Sequence, residues 1–116
     1  MRGEQFLTKS RDYGTVYSQG TSWVSGPIVM KAITNGLEFS RYGFSVSRRV
    51  GSAVTRNHIK RRLREILRLM TLKPGWDIVF IARTSAADAD YATLKSGIES
   101  VLVRANIIEP VTVDGF

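Results

Sequence analysis

Residues 44–68 read FSVSRRVGSAVTRNHIKRRLREILR, and their hydrophobic period changes partway along. The first four residues alternate apolar and small polar side chains, which is the period of a strand. From residue 53 onward, apolar side chains recur every three or four positions, at Ile59, Leu63, Ile66, Leu67 and Met70. This spacing gives an apolar stripe about 100° wide, as a helix that packs on a core requires. The sequence therefore predicts a helix over residues 53–70, directly after a strand.

Shorter periodic segments flank this helix on both sides. Alternating or short apolar runs predict four strands, over residues 21–24, 28–34, 38–47 and 77–83. Two more amphipathic segments predict helices over residues 8–19 and 91–105. Gly20 is placed to end the first helix, Asn35-Gly36 marks a turn, and Asp88 or Asp90 is placed to cap the last helix. Residues 107–116 show no clear pattern.

The resulting order of elements is α-β-β-β-α-β-α. The central helix connects the strand at 38–47 to the strand at 77–83, and a crossover of that length usually joins parallel neighbours. The sequence therefore predicts an α/β fold of the α+β two-layer sandwich kind, with one mixed four-stranded sheet packed with helices. A length of 116 residues fits a single domain over 1–116.

Positive charge is concentrated in one part of the chain. The protein has 17 Lys and Arg against 10 Asp and Glu, a net charge of +7. Residues 48–68 hold eight of these cations and one acid, so they carry the whole excess. Seven of the eight are arginine, whose planar fork suits phosphates and stacks on bases. A polyanionic partner is favoured over the alternative, a solvated face that only keeps the protein in solution.

On a helical wheel, most polar side chains of the central helix gather beside its apolar stripe. Residues at i and i+4 are about 5–6 Å apart, close to the separation of successive phosphates. This arc holds Asn57, Lys60, Arg61, Arg64 and Arg68. Arg62 points away from it and is expected to pair with Glu65.

Other features exclude several classes of protein. The chain has no cysteine, which removes disulfides and thiolate metal sites and fits a reducing cytoplasm. No run of about 18 apolar residues occurs, so no membrane partner is expected. A protein-only nuclease would need clustered carboxylates for Mg²⁺, and the ten acids are scattered. His58 lacks a partner for catalysis. A helix-turn-helix DNA-binding regulator is disfavoured because strands flank the basic helix.

Residues 44–65 closely resemble the signature of the bacterial ribonuclease P protein family. That signature is a strand ending in S-V-S, two basic residues, a G-x-A-V turn and then R-N-x-x-K-R-x-x-R. The basic side chains of this chain that match it are Arg48, Arg49, Arg56, Lys60, Arg61 and Arg64, and Asn57 stands at the asparagine. Weaker similarity covers Asp12-Tyr13, Val16-Tyr17, Gly20, residues 77–83 and Tyr91.

The resemblance implies a function that composition alone does not. It implies an RNA-binding subunit that helps a catalytic RNA remove the 5′ leader of precursor tRNA. Catalysis and Mg²⁺ then belong to the RNA, and the protein holds no cofactor. The arginine-rich helix meets the RNA subunit, and the crossover through that helix is left-handed. The alternative is a general RNA- or ribosome-binding module that uses the same basic residues.

The resemblance also implies a cleft between the first helix and the sheet, which holds the single-stranded leader of precursor tRNA. Its residues in this chain are Tyr13, Tyr17, Val29 and Lys31. An exposed tyrosine there is able to stack on an unpaired base. Tyr13 is equally compatible with packing on the sheet. Lys31 stands where some family members carry an aromatic residue, so a phosphate contact is expected at that position.

Overall fold

The computed structural model describes residues 6–108. Three helices and four strands follow one another in the predicted order, with a short 3₁₀ turn before α2 and another before α3. In chain order they are α1 (Ser10–Gln19), β1 (Thr21–Ser25), β2 (Ile28–Thr34), β3 (Arg41–Val46), α2 (Ala53–Arg68), β4 (Trp76–Ala82) and α3 (Tyr91–Arg104). The 3₁₀ turns are Arg48–Val50 and Thr84–Asp88. No helix within this part of the chain is long and apolar enough to cross a membrane.

The four strands form one mixed sheet in the order β1-β2-β4-β3. β2 is antiparallel to both β1 and β4, whereas β3 is parallel to β4. The predicted sheet is therefore confirmed, as is the prediction that the central helix joins parallel neighbours. The left-handedness of that crossover stays an expectation from the family resemblance.

The turn predicted at Asn35-Gly36 is present but does not form a hairpin. Gly36 adopts a positive φ of 72°, which glycine tolerates best. β4 inserts between β2 and β3, so the segment after the turn crosses to the far edge of the sheet. β3 therefore begins at Arg41 rather than at residue 38, since the residues before it make this crossing.

The main core lies between one face of the sheet and the helices α2 and α3. Even-numbered residues in the middle of β2 and β4 point to this face, and Met30 and Phe80 among them are fully buried. The helices contribute most of their predicted apolar stripes, which are Ile59, Leu63, Ile66 and Leu67 from α2 and Leu94, Ile98, Val101 and Leu102 from α3. Two predicted members differ: Met70 lies beyond the end of α2 and is only half-buried, and Tyr91, in the first turn of α3, is 38% exposed. The period of each element thus matches the face that it buries.

A second, smaller core lies on the opposite face, under α1. Val16 of α1 is completely buried there and packs with Leu7 and with Val79 of β4. Helices therefore cover both faces of the sheet, with α1 alone on one of them among residues 6–108. This arrangement explains why β4 is apolar on both sides rather than alternating.

The helix ends follow local hydrogen bonding. Asp90, one of the two candidates, caps α3 by accepting a bond of 2.8 Å from the backbone N–H of Thr93. Gly20 follows the last residue of α1, as predicted, but its φ is −77°. Glycine is needed there because a Cβ would lie 2.5 Å from the carbonyl oxygen of Val16. Ile107 and Ile108 are buried, and the rest of the segment without a clear pattern lies outside the described residues.

Candidate RNA-binding surfaces

The first surface is the polar arc of α2, hereafter the basic face: Asn57, Lys60, Arg61, Arg64 and Arg68. The structure places the apolar stripe of α2 against the sheet, which leaves this arc at the surface. Three of its side chains are exposed and two, Lys60 and Arg64, are half-buried. At 1.5 Å per residue, the basic face extends about 16 Å along a rigid helix. The basic face is therefore a row of four cations and one asparagine whose backbone positions are fixed by the helix.

Arg48 and Arg49 extend the positive charge beyond the helix. Both are exposed in the 3₁₀ turn that links β3 to α2. Arg56 is different, because its Nε donates a hydrogen bond of 3.2 Å to the carbonyl oxygen of Gly51 and its side chain is half-buried. Arg56 thus fixes the entry to α2 with one nitrogen and keeps its two terminal nitrogens as further donors.

Arg62 leaves the basic face, as predicted, but the predicted partner is wrong. Its Nη1 donates a bond of 3.4 Å to the carbonyl oxygen of Ala89, in the segment before α3, and not to Glu65. Arg62 therefore connects α2 to α3. The helical period correctly predicted the side of α2 on which Arg62 lies. It carries no information about which other segment packs against that side.

Arg64 has a partner that the sequence did not indicate. Its guanidinium carbon lies 5.8 Å from the ring centroid of Phe6, within range of a cation–π contact. Phe6 reaches this position because its backbone forms a parallel bridge with Tyr42 at the edge of the sheet. The sequence offered no periodic signal at Phe6, since a single bridge has no period.

The second surface is the cleft side of the sheet, under and beside α1. Val29 and Lys31 point to this side of β2, and Tyr13 and Tyr17 lie on α1, so the structure brings all four predicted residues to one side. The rings of Tyr13 and Tyr17 are 6.4 Å apart between centroids. Val29 is in register with Ile81 of β4, which is in register with Ser45 of β3. Ile81 and Ser45 are half-buried and complete a floor that the sequence did not single out.

The two tyrosines differ in exposure. Tyr17 is 40% exposed and therefore available to a ligand. Tyr13 is half-buried and lies over Gly43, where any Cβ would collide with the tyrosine hydroxyl. Burial, together with the neighbouring Tyr17, raises the pKa of Tyr13. Tyr13 thus serves in part to pack α1 on the sheet.

Lys31 contacts α1 directly. Its Nζ donates a bond of 3.3 Å to the carbonyl oxygen of Tyr17, in the last turns of α1. A cation is favourable at this end of a helix, where carbonyl groups lack partners. The ammonium group has two further donors, so the expected phosphate contact stays a prediction.

An ionic network fixes the other end of α1. Asp77 of β4 is 6% exposed, and its carboxylate accepts bonds from Arg41 Nε at 2.9 Å, Arg41 Nη2 at 2.6 Å and Asn35 Nδ2 at 2.8 Å. The hydrogen bonds to Asp77 raise the pKa of Arg41. Arg41 also pairs with Asp12 of α1 at 3.5 Å. The sequence identified Asp77 only as the start of a strand.

Two concavities lie elsewhere on the described part of the chain. An apolar depression of about 510 Å³ is lined by residues 69–74, Glu99 and Ile108, and a more polar one of about 330 Å³ lies near the start of α3. Neither is lined by the basic face or by the four predicted cleft residues. Within residues 6–108, no three His, Asp or Glu side chains come close enough together to hold a metal ion.

Comparison with known proteins gives one consistent result. The sequence pattern of the Ribonuclease P family matches residues 1–106. The ribonuclease P protein component of Dehalococcoides mccartyi is 45% identical over 108 residues, covering 93% of this chain and 90% of that protein. The corresponding protein of Caldanaerobacter subterraneus is 42% identical over 105 residues, covering 89% and 90%.

Solved structures agree with the sequence relatives. The RNase P protein of Staphylococcus aureus superposes with a TM-score of 0.82 at 29% identity, covering 92% of this chain and 100% of that one. The RNase P protein from Thermotoga maritima gives a TM-score of 0.76 at 30% identity, covering 87% and 97%.

Proposed function

The chain belongs to the ribonuclease P protein family, and from this premise we propose that two separate surfaces of the molecule contact two different RNAs. As a family member, the protein is the RNA-binding component of a holoenzyme that processes the 5′ leaders of tRNAs, and its partner is the ribonuclease P RNA. None of the comparisons supports the alternative of a general RNA- or ribosome-binding module. The proposal concerns which residues do the binding.

The basic face, with Arg48, Arg49 and Arg56, binds the ribonuclease P RNA. The observation that supports this assignment is the anchored row of cations on α2, whose other side is buried in the core. Lys60 and Arg61 form no ion pair with any carboxylate among residues 6–108. Like charges at this spacing repel in the free protein, and a phosphate backbone relieves the repulsion.

The cleft side of the sheet holds the single-stranded leader of precursor tRNA. Tyr17 offers an exposed ring for stacking, and Val29 with Ile81 offers a half-buried apolar floor. Lys31 places a cation beside Tyr17, where a phosphate of the leader would follow its base. Mg²⁺ and the bond-breaking groups belong to the RNA subunit, and the expected location is the cytoplasm.

Adjacent arginines provide the test, since Arg61 lies on the basic face and Arg62 does not. Arg61→Ala should weaken binding to ribonuclease P RNA and reduce the slope of log affinity against log salt by about 0.7–0.9, the value of one phosphate contact. Arg62→Ala removes the same charge from a side chain that faces Ala89 and Asp90 rather than the basic face, so it should leave the slope unchanged. Filter binding across a salt series measures both. An unchanged slope for Arg61→Ala would show that the basic face is merely solvated.

The whole assignment is tested by reconstitution. The protein, added to a bacterial ribonuclease P RNA at low Mg²⁺, should restore removal of the 5′ leader from a precursor tRNA. Failure to stimulate cleavage, with protein and RNA both folded, would contradict the role of the two surfaces. The protein without RNA serves as the control for contaminating nucleases.

A further inference from the structure

Phe6 stands at the end of a series of aromatic rings that runs from the core to the surface. Phe80 is fully buried, and its ring lies 6.2 Å from that of Phe44, between centroids. Phe44 lies 5.7 Å from Tyr42, and Tyr42 lies 5.2 Å from Phe6 in an edge-on arrangement. Phe6 itself is 39% exposed. The ring is thus at the surface but is held in place by the core beneath it.

The exposed end of this series meets the basic face. The guanidinium carbon of Arg64 lies 5.8 Å from the centroid of the Phe6 ring. Arg61, by contrast, makes no cation–π contact with any aromatic ring among residues 6–108. A free arginine side chain samples many rotamers and loses that freedom when it binds a phosphate. A ring that already holds the guanidinium in the free protein reduces the conformational entropy that is lost on binding.

We propose that Phe6 is a positioning residue for Arg64, orienting its guanidinium for contact with the ribonuclease P RNA. This inference rests on the proposed RNA-binding role of the basic face. A ring occupies the side of the guanidinium plane and leaves its N–H edge open, and that edge is the part that binds phosphate in a bidentate manner. The amino-terminal bridge to β3 therefore contributes to RNA binding without touching RNA.

Substitutions at Phe6 separate the ring's electronic role from its packing role. Phe6→Leu keeps an apolar side chain against Tyr42 but removes the π face, and it should raise the Kd for ribonuclease P RNA about 2- to 5-fold. Phe6→Tyr keeps the π face and should bind like the wild type. Phe39→Leu is the matched control, since Phe39 is also an exposed phenylalanine, at 42%, and makes no cation–π contact with residues 6–108.

A double-mutant cycle tests whether Phe6 acts through Arg64. Arg64→Gln should weaken RNA binding, and in that background Phe6→Leu should have no further effect. Thermal melting of each variant is measured alongside. Wild-type affinity for Phe6→Leu, an equal loss for Phe6→Tyr, or an undiminished effect of Phe6→Leu in the Arg64→Gln background would each overturn the positioning role. Wild-type affinity for Arg64→Gln would instead remove Arg64 from the proposed RNA contact, and the inference with it.

Discussion

At the scale of single residues, the Asp77 carboxylate is a buried charge on the cleft side of the sheet. It accepts three hydrogen bonds, two of them from Arg41, and is almost fully buried. A buried charge of this kind is tolerated only when it is paired and its lone pairs are satisfied. The contribution of this ion pair to the free energy of unfolding is therefore revealed by removing one partner, not by counting its contacts.

Asp77→Asn should destabilise the protein by about 3 kcal/mol, because Arg41 would lose its charged partner while still half-buried. Urea unfolding monitored by circular dichroism measures the change in the free energy of unfolding. Asp12→Asn is the control, since that pair with Arg41 is longer, at 3.5 Å, and more exposed, and should cost less than about 1 kcal/mol. Similar costs for the two variants would contradict this ranking.

Positions within one helix could be predicted from the sequence, whereas contacts between elements could not. The positions of Arg61 and Arg62 on α2 followed from the helical period, because both depend only on neighbours within two turns. The pairs Arg41–Asp77 and Phe6–Arg64 did not follow, because each joins residues on different elements. Such a pair can be predicted only when the order of the strands is known, and no local pattern gives that order.

At the scale of elements, the placement of α1 depends on a glycine in β3. Gly43→Ala should destabilise the fold by roughly 1–3 kcal/mol, because the added Cβ collides with the Tyr13 side chain. The shift of α1 should also weaken binding of a leader-bearing substrate. Unfolding and substrate binding by the holoenzyme are both measured.

Two further variants control the glycine experiment. Gly14→Ala adds a methyl group to α1 in open space and should stabilise the helix by about 0.5–1 kcal/mol. Combining Gly43→Ala with Tyr13→Ala removes the obstacle, so the double variant should lose less stability than the sum of the single ones. Strict additivity would mean that the glycine and the tyrosine do not contact each other.

The Asp90 cap of α3 makes the stability of the protein depend on pH. Hydrogen bonds from Thr93 lower the pKa of Asp90, so the native state holds the ionised carboxylate more strongly than the unfolded chain does. The contribution of the cap is therefore present above the ordinary pKa of aspartate and disappears as pH falls through the lowered value. The stability difference between the wild type and Asp90→Ala should shrink in that acidic range, as measured by urea unfolding at several pH values. Asp88→Ala is the control, because it removes the neighbouring carboxylate and leaves the bond from Thr93 to Asp90 in place.

The elements themselves were largely predictable, and their ends less so. The bounds of α2 and α3 differ from the predicted ones by one or two residues, because caps and apolar stripes are local signals. β3 was predicted too long at its start, since the segment after Gly36 is determined by the crossing over β4. Which helix lies on which face was not accessible either, because an amphipathic stripe shows that a side is buried but not against what.

At the scale of the whole molecule, the sheet separates the two proposed RNA-binding surfaces. The buried side of α2 rests on one face, and α1 with Tyr17 lies on the other. In the holoenzyme, Tyr17→Ala should weaken binding of precursor tRNA with a leader about 5- to 150-fold and leave mature tRNA nearly unaffected. An equal loss for both tRNAs, or a large fall in melting temperature, would place Tyr17 in the core instead.

Because the surfaces are separate, Tyr17→Ala and Arg61→Ala should act independently. With the RNA subunit saturating, the double variant should show the leader defect of Tyr17→Ala alone. Below saturation, the two losses should add to within about 0.3–0.5 kcal/mol. A larger coupling energy in this cycle would mean that one RNA spans both surfaces.

The position of β4 has a consequence for how the protein is made. The ribosome adds β1, β2, β3 and α2 before the strand that lies between β2 and β3 exists. Until β4 is present, the apolar side of this arginine-rich helix has no complete sheet to pack on. Neither face of the sheet is therefore complete until synthesis has passed residue 82, and the core under α2 also needs α3. A nascent chain arrested between residues 69 and 75 would contain every arginine of the basic face and still lack a surface to present them.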